Sequence, residues 1–381
     1  MFRLPRLIVA LACSWLLPAG AAPTEPGVYP DKIVLGQTIG FESVWGGVYR
    51  NYTEGFEAHL RQVNADGGIH GRQIELLRLE DQYETAKAVA NVRRFGEERS
   101  VFGLVCIGGT AITSAVAPLL EQYRLPTVGA LTGADAARRH NPYLYFTRAG
   151  YADEVGKMLE HLATIGLSRV AVVYQDSAFG KGNLEAAHRA AAERGVRVVA
   201  EIVHPIAGWD PKQMSRQLAE AAPQAVLLFS PPATVVDVMN TYRAIVGAGL
   251  PQPWVLSVTP PAKLLEGLGD RVRGVAMTQV VPHPALATSQ LASAFREMWK
   301  QQGREPNLSH EALEGYLTAR VVVEALRRAG REPTREAYLR ALDSLGDFKV
   351  ADFHVRFSKG RHLGPTFVEA TMLGREGQIV R

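Results

Sequence analysis

The chain is poor in cysteine, carries no surplus of one charge, and has no long apolar run after its first two dozen residues. Cys13 and Cys106 are its only cysteines. If a leader containing Cys13 is removed, Cys106 stands alone and no internal disulfide can form. On an apolar stretch it reads as a small buried hydrophobe. The formal net charge is +4, from 42 basic and 38 acidic residues. These charges are scattered, with no Lys/Arg stripe interleaved with aromatics, which argues against a nucleic-acid partner. H-E-x-x-H, a paired C-x-x-C, a Walker loop and G-x-S-x-G are missing. The ten histidines lie apart without metal-ligand spacing. Gly108-Gly109-Thr110 is too short for a dinucleotide fingerprint. The expectation is therefore no cofactor, no metal and no catalytic set.

What is there begins with Arg3 and Arg6, which open an apolar stretch over 7–17 that ends at Pro18-Ala19-Gly20-Ala21-Ala22. A basic start, a short apolar core and small residues at the end read as a secretory signal over 1–22, cut near Ala21 or Ala22. The core is too short to span a bilayer. Lipid anchoring at Cys13 would cut it short, and Ala10-Leu11-Ala12 fits that pattern poorly. An exported chain with one remaining cysteine suits a bacterial periplasm. The hydrophobic fraction, 47%, supports ordinary globular cores, and 381 residues is long for a single one.

The stretch 101–138 organises the rest. Apolar 101–107 reads as a strand buried on both faces. Gly108-Gly109 allows a sharp turn, and Thr110 or Thr113 can cap the following helix, whose apolar face carries Ile112, Val116, Leu119, Leu120 and Tyr123. A second strand over 125–130 ends in Leu131-Thr132-Gly133. The reading is two strand-to-helix turns at one sheet edge, each offering backbone N–H groups and a hydroxyl to a small carboxylate. Any βα unit also needs a Gly-rich turn and a polar cap, so the turn by itself does not require a ligand.

Strands and helices alternate along nearly the whole chain. Strands are predicted over 31–39, 69–79, 143–147, 169–174, 196–203, 225–229 and 253–258, and helices over 48–63, 85–97, 153–165, 181–194, 211–222, 289–302, 309–329 and 334–345. This predicts an α/β fold of two similar doubly wound lobes with parallel-dominated sheets. The first lobe is expected over 31–148 plus 282–347 and the second over 151–275 plus 350–381.

Several pieces in this order resemble the branched-chain amino-acid-binding family of periplasmic solute-binding proteins. They are Glu54-Gly55-Phe56, the run Asn64-Ala65-Asp66-Gly67-Gly68-Ile69-His70-Gly71-Arg72, Asp81, Gly109-Thr110, Leu131-Thr132-Gly133 and Asp176-Ser177-Ala178-Phe179-Gly180-Lys181-Gly182. The resemblance runs from about Asp31 to the end. It implies three crossovers, a ligand in the interlobe cleft and lobes that close on it. It places the ligand carboxylate against Thr110, Leu131 and Gly133, with Thr132 adjacent and Gly109 also at the ligand. Ser43 and Trp45 of the first loop, and Phe179, Ser230 and Thr259 of the second lobe, complete the set.

Two departures bear on the ligand. Relatives of this kind often place an acid after the later second-lobe strand to hold an α-ammonium; here that region reads Ser257-Val258-Thr259-Pro260-Pro261. The family tyrosine is Phe179, which lacks a hydroxyl. Glu42, Asp176 or Asp81 could supply the charge or be structural carboxylates, and Trp45 and Phe179 could be ligand walls or ordinary packing. The ligand is therefore an amino acid or a small carboxylate without an amine. The function implied is an exported, monomeric binding protein that delivers its ligand to an ABC permease. A receptor-linked sensor of the same fold and an α/β enzyme using the cleft are the alternatives.

Overall fold

The computed structural model describes residues 25–304 and 308–380. The expected signal over 1–22, its cleavage point and Cys13 lie outside the described residues. Among those described, no helix is long and apolar enough to cross a membrane.

The first sheet is built from β1 (Lys32–Ile39), α1 (Gly46–Ala65), β2 (Gln73–Glu80), α2 (Thr85–Glu97), β3 (Gly103–Val105), α3 (Thr110–Gln122), β4 (Thr127–Val128) and β5 (Leu144–Tyr145). Its strands run parallel in the order β2-β1-β3-β4-β5. Central β1 is buried over seven of its eight residues, as a strand covered on both faces must be. Two polar residues survive there because they are paired. Gln37 Nε2 donates to Thr53 Oγ1 and to the Cys106 carbonyl, and Thr38 Oγ1 donates to Asp81 Oδ2.

The second sheet follows through α4 (Tyr151–Thr164), β6 (Arg169–Gln175), α5 (Ala178–Arg194), β7 (Arg197–His204), α6 (Pro211–Ala221), β8 (Ala225–Phe229), α7 (Pro232–Val246), β9 (Pro253–Val255), α8 (Pro261–Leu268) and β10 (Ala276–Gln279). The chain then returns to the first sheet with α9 (Gln290–Gln301), α10 (His310–Ala329), α11 (Arg335–Asp343) and the hairpin β11 (Gly346–Val350)–β12 (Phe353–Phe357). It ends with β13 (Glu369–Leu373) and β14 (Ile379–Val380), added antiparallel beside β10. The order is β14-β13-β10-β9-β8-β6-β7. The chain passes between the sheets three times, near 146–150, 280–289 and 358–368.

Three local expectations change. The strand expected over 101–107 is only Gly103–Val105, because Cys106 turns left-handed at φ 55° and ends the ladder. The second Gly/Thr turn does not open a helix; Asp135–Ala137 is one 3-10 turn leading to β5. Residues from 350 were expected with the second lobe. The hairpin instead packs on the first: Phe357 meets Tyr145 edge-on at 5.3 Å, and the Phe146 N–H and carbonyl bond the backbones of His362 and Gly364.

The first lobe is held by an unusually close crossing of α1 on α10. A Cβ on Gly55 would lie 1.8 Å from the Ala312 carbonyl oxygen, and one on Gly315 would lie 1.9 Å from that of Tyr52. The two glycines thus let backbone meet backbone. Beside them Thr318 Oγ1 lies 2.6 Å from both Tyr52 Oη and Thr147 Oγ1. Gly315→Ala is expected to lower stability by about 1–3 kcal/mol through overpacking. Gly47→Ala, in the partner helix α1 with open space at its Cβ, should be neutral or stabilising by up to about 1 kcal/mol. Thermal or urea unfolding of both variants checks this; equal effects would refute the close-contact explanation.

Candidate functional site

Parallel α/β sheets leave a crevice at the carboxyl ends of their strands where strand order reverses. Here β1 and β3 leave that point in opposite directions, and their following loops carry Trp45 and Gly109-Thr110. The second sheet reverses between β6 and β8 and presents Phe179 just after β6. These residues meet. Trp45 packs edge-on to Phe179 with ring centres 6.0 Å apart, and Phe179 packs edge-on to Tyr151 at 5.4 Å. The pocket between them is completed by Val48, Tyr49, Tyr83, Leu131 and Val258. Its enclosed volume is about 20 Å³, room for about one water. A larger solute does not fit this arrangement of side chains.

The turn expected to face a carboxylate is the start of α3. Gly109 takes the N-cap position with φ 93° and no side chain caps the helix, so the first-turn N–H groups keep the partial positive charge of a helix start. The expected caps behave differently: Thr113 Oγ1 donates back to the Gly109 carbonyl at 2.7 Å, and Thr110 Oγ1 lies 2.8 Å from Thr132 Oγ1. The glycines also do not leave the bend bare. A Cβ on Gly108 would strike the Tyr49 ring and one on Gly109 the Tyr83 ring. They make room for two tyrosines that the sequence reading did not include.

Of the ten residues expected at the site, five line this pocket: Trp45, Gly109, Thr110, Leu131 and Phe179. The other five are not among its lining residues, and each makes a hydrogen bond within the protein. Ser43 Oγ donates to the Gly40 carbonyl and accepts from the Trp45 N–H, shaping the loop. Thr132, fully buried, supports Thr110 and accepts from the Ala134 N–H. The Gly133 carbonyl accepts from Tyr151 N–H at 2.7 Å. Ser230 Oγ bonds His204 Nε2 at 2.9 Å. The Thr259 N–H closes a turn onto the Leu256 carbonyl, and its neighbour Val258 faces the pocket instead.

The Ser230–His204 contact is a serine–histidine pair that the scattered histidines did not reveal. Both side chains are about 1% exposed. His204 Nδ1 lies 2.8 Å from the Pro205 carbonyl, which fixes the proton on that nitrogen and leaves Nε2 to accept from the serine. Burial lowers the histidine pKa. The pair lacks access for a substrate and serves to join β7 to β8. Among the described residues no group of three or more His, Cys, Asp or Glu is placed to hold a metal.

Behind the pocket lies a buried charged cluster. Arg148, on the first crossing, donates through Nη2 to Glu154 Oε1 at 3.1 Å and to Ser257 Oγ at 2.6 Å. Glu154 also accepts from the Ser257 N–H, Ser257 Oγ and Thr278 Oγ1. Arg148 Nε lies 3.7 Å from Glu314 Oε1 of α10, a charge contact without a hydrogen bond. The guanidinium carbon sits 5.4 Å from the centre of the Tyr151 ring. Glu154 and Ser257 belong to the second sheet's elements and Glu314 to the first sheet's, so one cation spans the crossing.

Glu314 faces Arg148, Glu154, its own helix neighbour Glu311, and the Tyr52 and Tyr151 rings. Burial pushes its carboxyl up from about 4.5 to about 7, against the pull of Arg148. The folded state therefore holds this proton more tightly than the unfolded chain. That contribution to stability is full below about 4.5 and is lost as pH rises through 7. Glu314→Gln should flatten the stability profile across this window; an unchanged profile in urea unfolding would exclude Glu314 as its source.

With this geometry in view, the comparisons are specific. The profile of a family described as periplasmic binding protein matches residues 33–368. Leu/Ile/Val-binding protein homolog 7 of Brucella melitensis is 26% identical over 343 residues, covering 84% of this chain and 82% of that protein. A substrate-binding periplasmic protein from Ralstonia solanacearum superposes with a TM-score of 0.83 at 29% identity, over 91% of this chain and 99% of that one. A fatty acid ABC transporter substrate-binding protein from Thermomonospora curvata shares the fold with a TM-score of 0.82 at 21% identity, over 95% and 94% of the two chains.

Proposed function

The chain belongs to the periplasmic binding protein family, and from that premise we propose that it is an exported solute-binding protein of an ABC importer. It binds a small carboxylate or amino acid by lobe closure, performs no chemistry on it, and hands it to a permease in the inner membrane. The signal read over 1–22 delivers it to the periplasm, where it acts as a monomer. The lobes we propose are 31–148 with 282–364, and 151–275 with 365–380.

The observation that carries this reading is the uncapped start of α3, with Gly109 and Thr110 lining an apolar pocket walled by both lobes. A helix start favours a carboxylate, and the aromatic walls favour an apolar body. One lobe is not enough. A charge-assisted hydrogen bond is worth about 1.5–3 kcal/mol, and burying roughly 100 Å² of apolar surface adds about 2.5 kcal/mol. Micromolar binding takes about 8 kcal/mol, after the cost of immobilising the ligand. Phe179 and Val258, contributed from across the cleft, supply the remainder on closure, and closure turns occupancy into a shape a permease can recognise. The Brucella relative is named for Leu/Ile/Val and the Thermomonospora protein for fatty acids, so ligands with and without an ammonium suit proteins of this architecture.

Native mass spectrometry of protein taken from the periplasm should reveal a carried-over small carboxylate or amino acid. A cationic or sugar ligand would refute the assignment. In calorimetry with that ligand, Thr110→Ala should weaken binding roughly tenfold to a hundredfold, the loss of one hydrogen bond to a charged group. Thr132→Ala, one contact removed, should weaken it less. Unchanged affinity in both folded variants would move the site away from α3.

A further inference from the structure

The carboxylates near the cleft are all engaged elsewhere. Asp81 is fully buried and accepts from Thr38 Oγ1 and the Tyr83 N–H. Asp176 pairs with Lys181 at 2.6 Å, and Glu42 accepts from Gln82 at 3.2 Å. Glu154 receives its four hydrogen bonds from Arg148, Ser257 and Thr278. Glu314 faces Arg148. Among the described residues no Asp or Glu lines the pocket, and the loop after β9 presents Val258 to it.

A buried cation lies behind the Tyr151 wall. Arg148 lies over the Tyr151 ring, and Tyr151 forms part of the pocket. An ammonium entering the closed cleft would shed its water and meet no anion, which is costly. One face of the Tyr151 wall is already turned to a guanidinium and is closed to it. A carboxylate would meet the α3 start and the Thr110 hydroxyl, with the guanidinium, itself paired to Glu154, as a weaker contribution.

Resting on the carboxylate reading above, we infer that the cleft selects a monocarboxylate that lacks an α-ammonium and carries a compact apolar body, a ring or a branched chain. Selection comes from the absence of an anionic partner and from Arg148 behind Tyr151.

The test uses matched pairs on the mature full chain, dialysed free of carried-over solute. Isothermal calorimetry would compare 3-phenylpropanoate with phenylalanine and 4-methylpentanoate with leucine. In at least one pair the des-amino acid should bind 100-fold or more tighter than its amino acid. Equal affinities, or tighter binding of the amino acids, would overturn the inference while leaving the carboxylate site standing. Binding of neither series, with retention of some other solute, would remove the carboxylate reading and the inference together. Val258→Asp, which puts an anion on the wall, should narrow the difference at least tenfold in a variant whose circular dichroism and melting match the parent; a gap left unchanged in that folded variant would count against the missing acid as its cause.

Discussion

Arg148 is the point on which the architecture turns. A buried guanidinium is tolerable only with its charge met, and here Glu154 and Ser257 accept from Nη2 on one side while Glu314 approaches Nε at 3.7 Å on the other. Removing one partner of such a pair typically costs about 3–5 kcal/mol, since the other charge stays buried alone. The cluster therefore fixes the path of the first crossing, and with it the start of α4 and the placement of Tyr151. Tyr151 is held again through its N–H by Gly133. A wall of the pocket is thus set by electrostatics at the crossing rather than by the pocket itself.

Much of this was legible in the sequence because it is local. Alternating apolar runs and amphipathic segments give the βα order, and β8 and α2 fall where those patterns put them. Turn residues after strands point to Gly109, Thr110 and Leu131, since the carboxyl edge of a parallel sheet collects such turns, and the family resemblance adds Trp45 and Phe179; all five line the pocket. What escaped depends on contacts distant in sequence or on one-residue choices of face. Tyr49 reads as helix core, Tyr83 adopts φ 63° to reach Gly109, and Val258 rather than Thr259 points inward. Ser230 is captured by His204, 26 residues away. Glu314 lies far along the chain from Arg148, and no periodicity links them. The hairpin at 346–357 joins the first lobe through Tyr145, an attachment that alternation of its residues cannot specify.

The pocket draws on both sheets in a way that follows from topology. Each parallel sheet turns its carboxyl edge to the same gap, so the loops after β1, β2, β3 and β4 face those after β6 and β9. The first lobe contributes the oriented amides and the second contributes mainly bulk. A ligand oriented by one lobe and covered by the other makes affinity depend on the crossing segments, which is where the buried charges lie.

The α1–α10 crossing adds a mechanical consequence. Where side chains separate two helices, rotamer changes let them slide; where carbonyl oxygens press against glycine Cα atoms, no such give exists. On the closure proposed above, the first lobe would then act as a stiff jaw turning on the crossing segments. A small rotation there would reach the rim, where Trp45 and Phe179 meet, without being absorbed between, so the mouth would open or shut as a whole instead of peeling apart residue by residue.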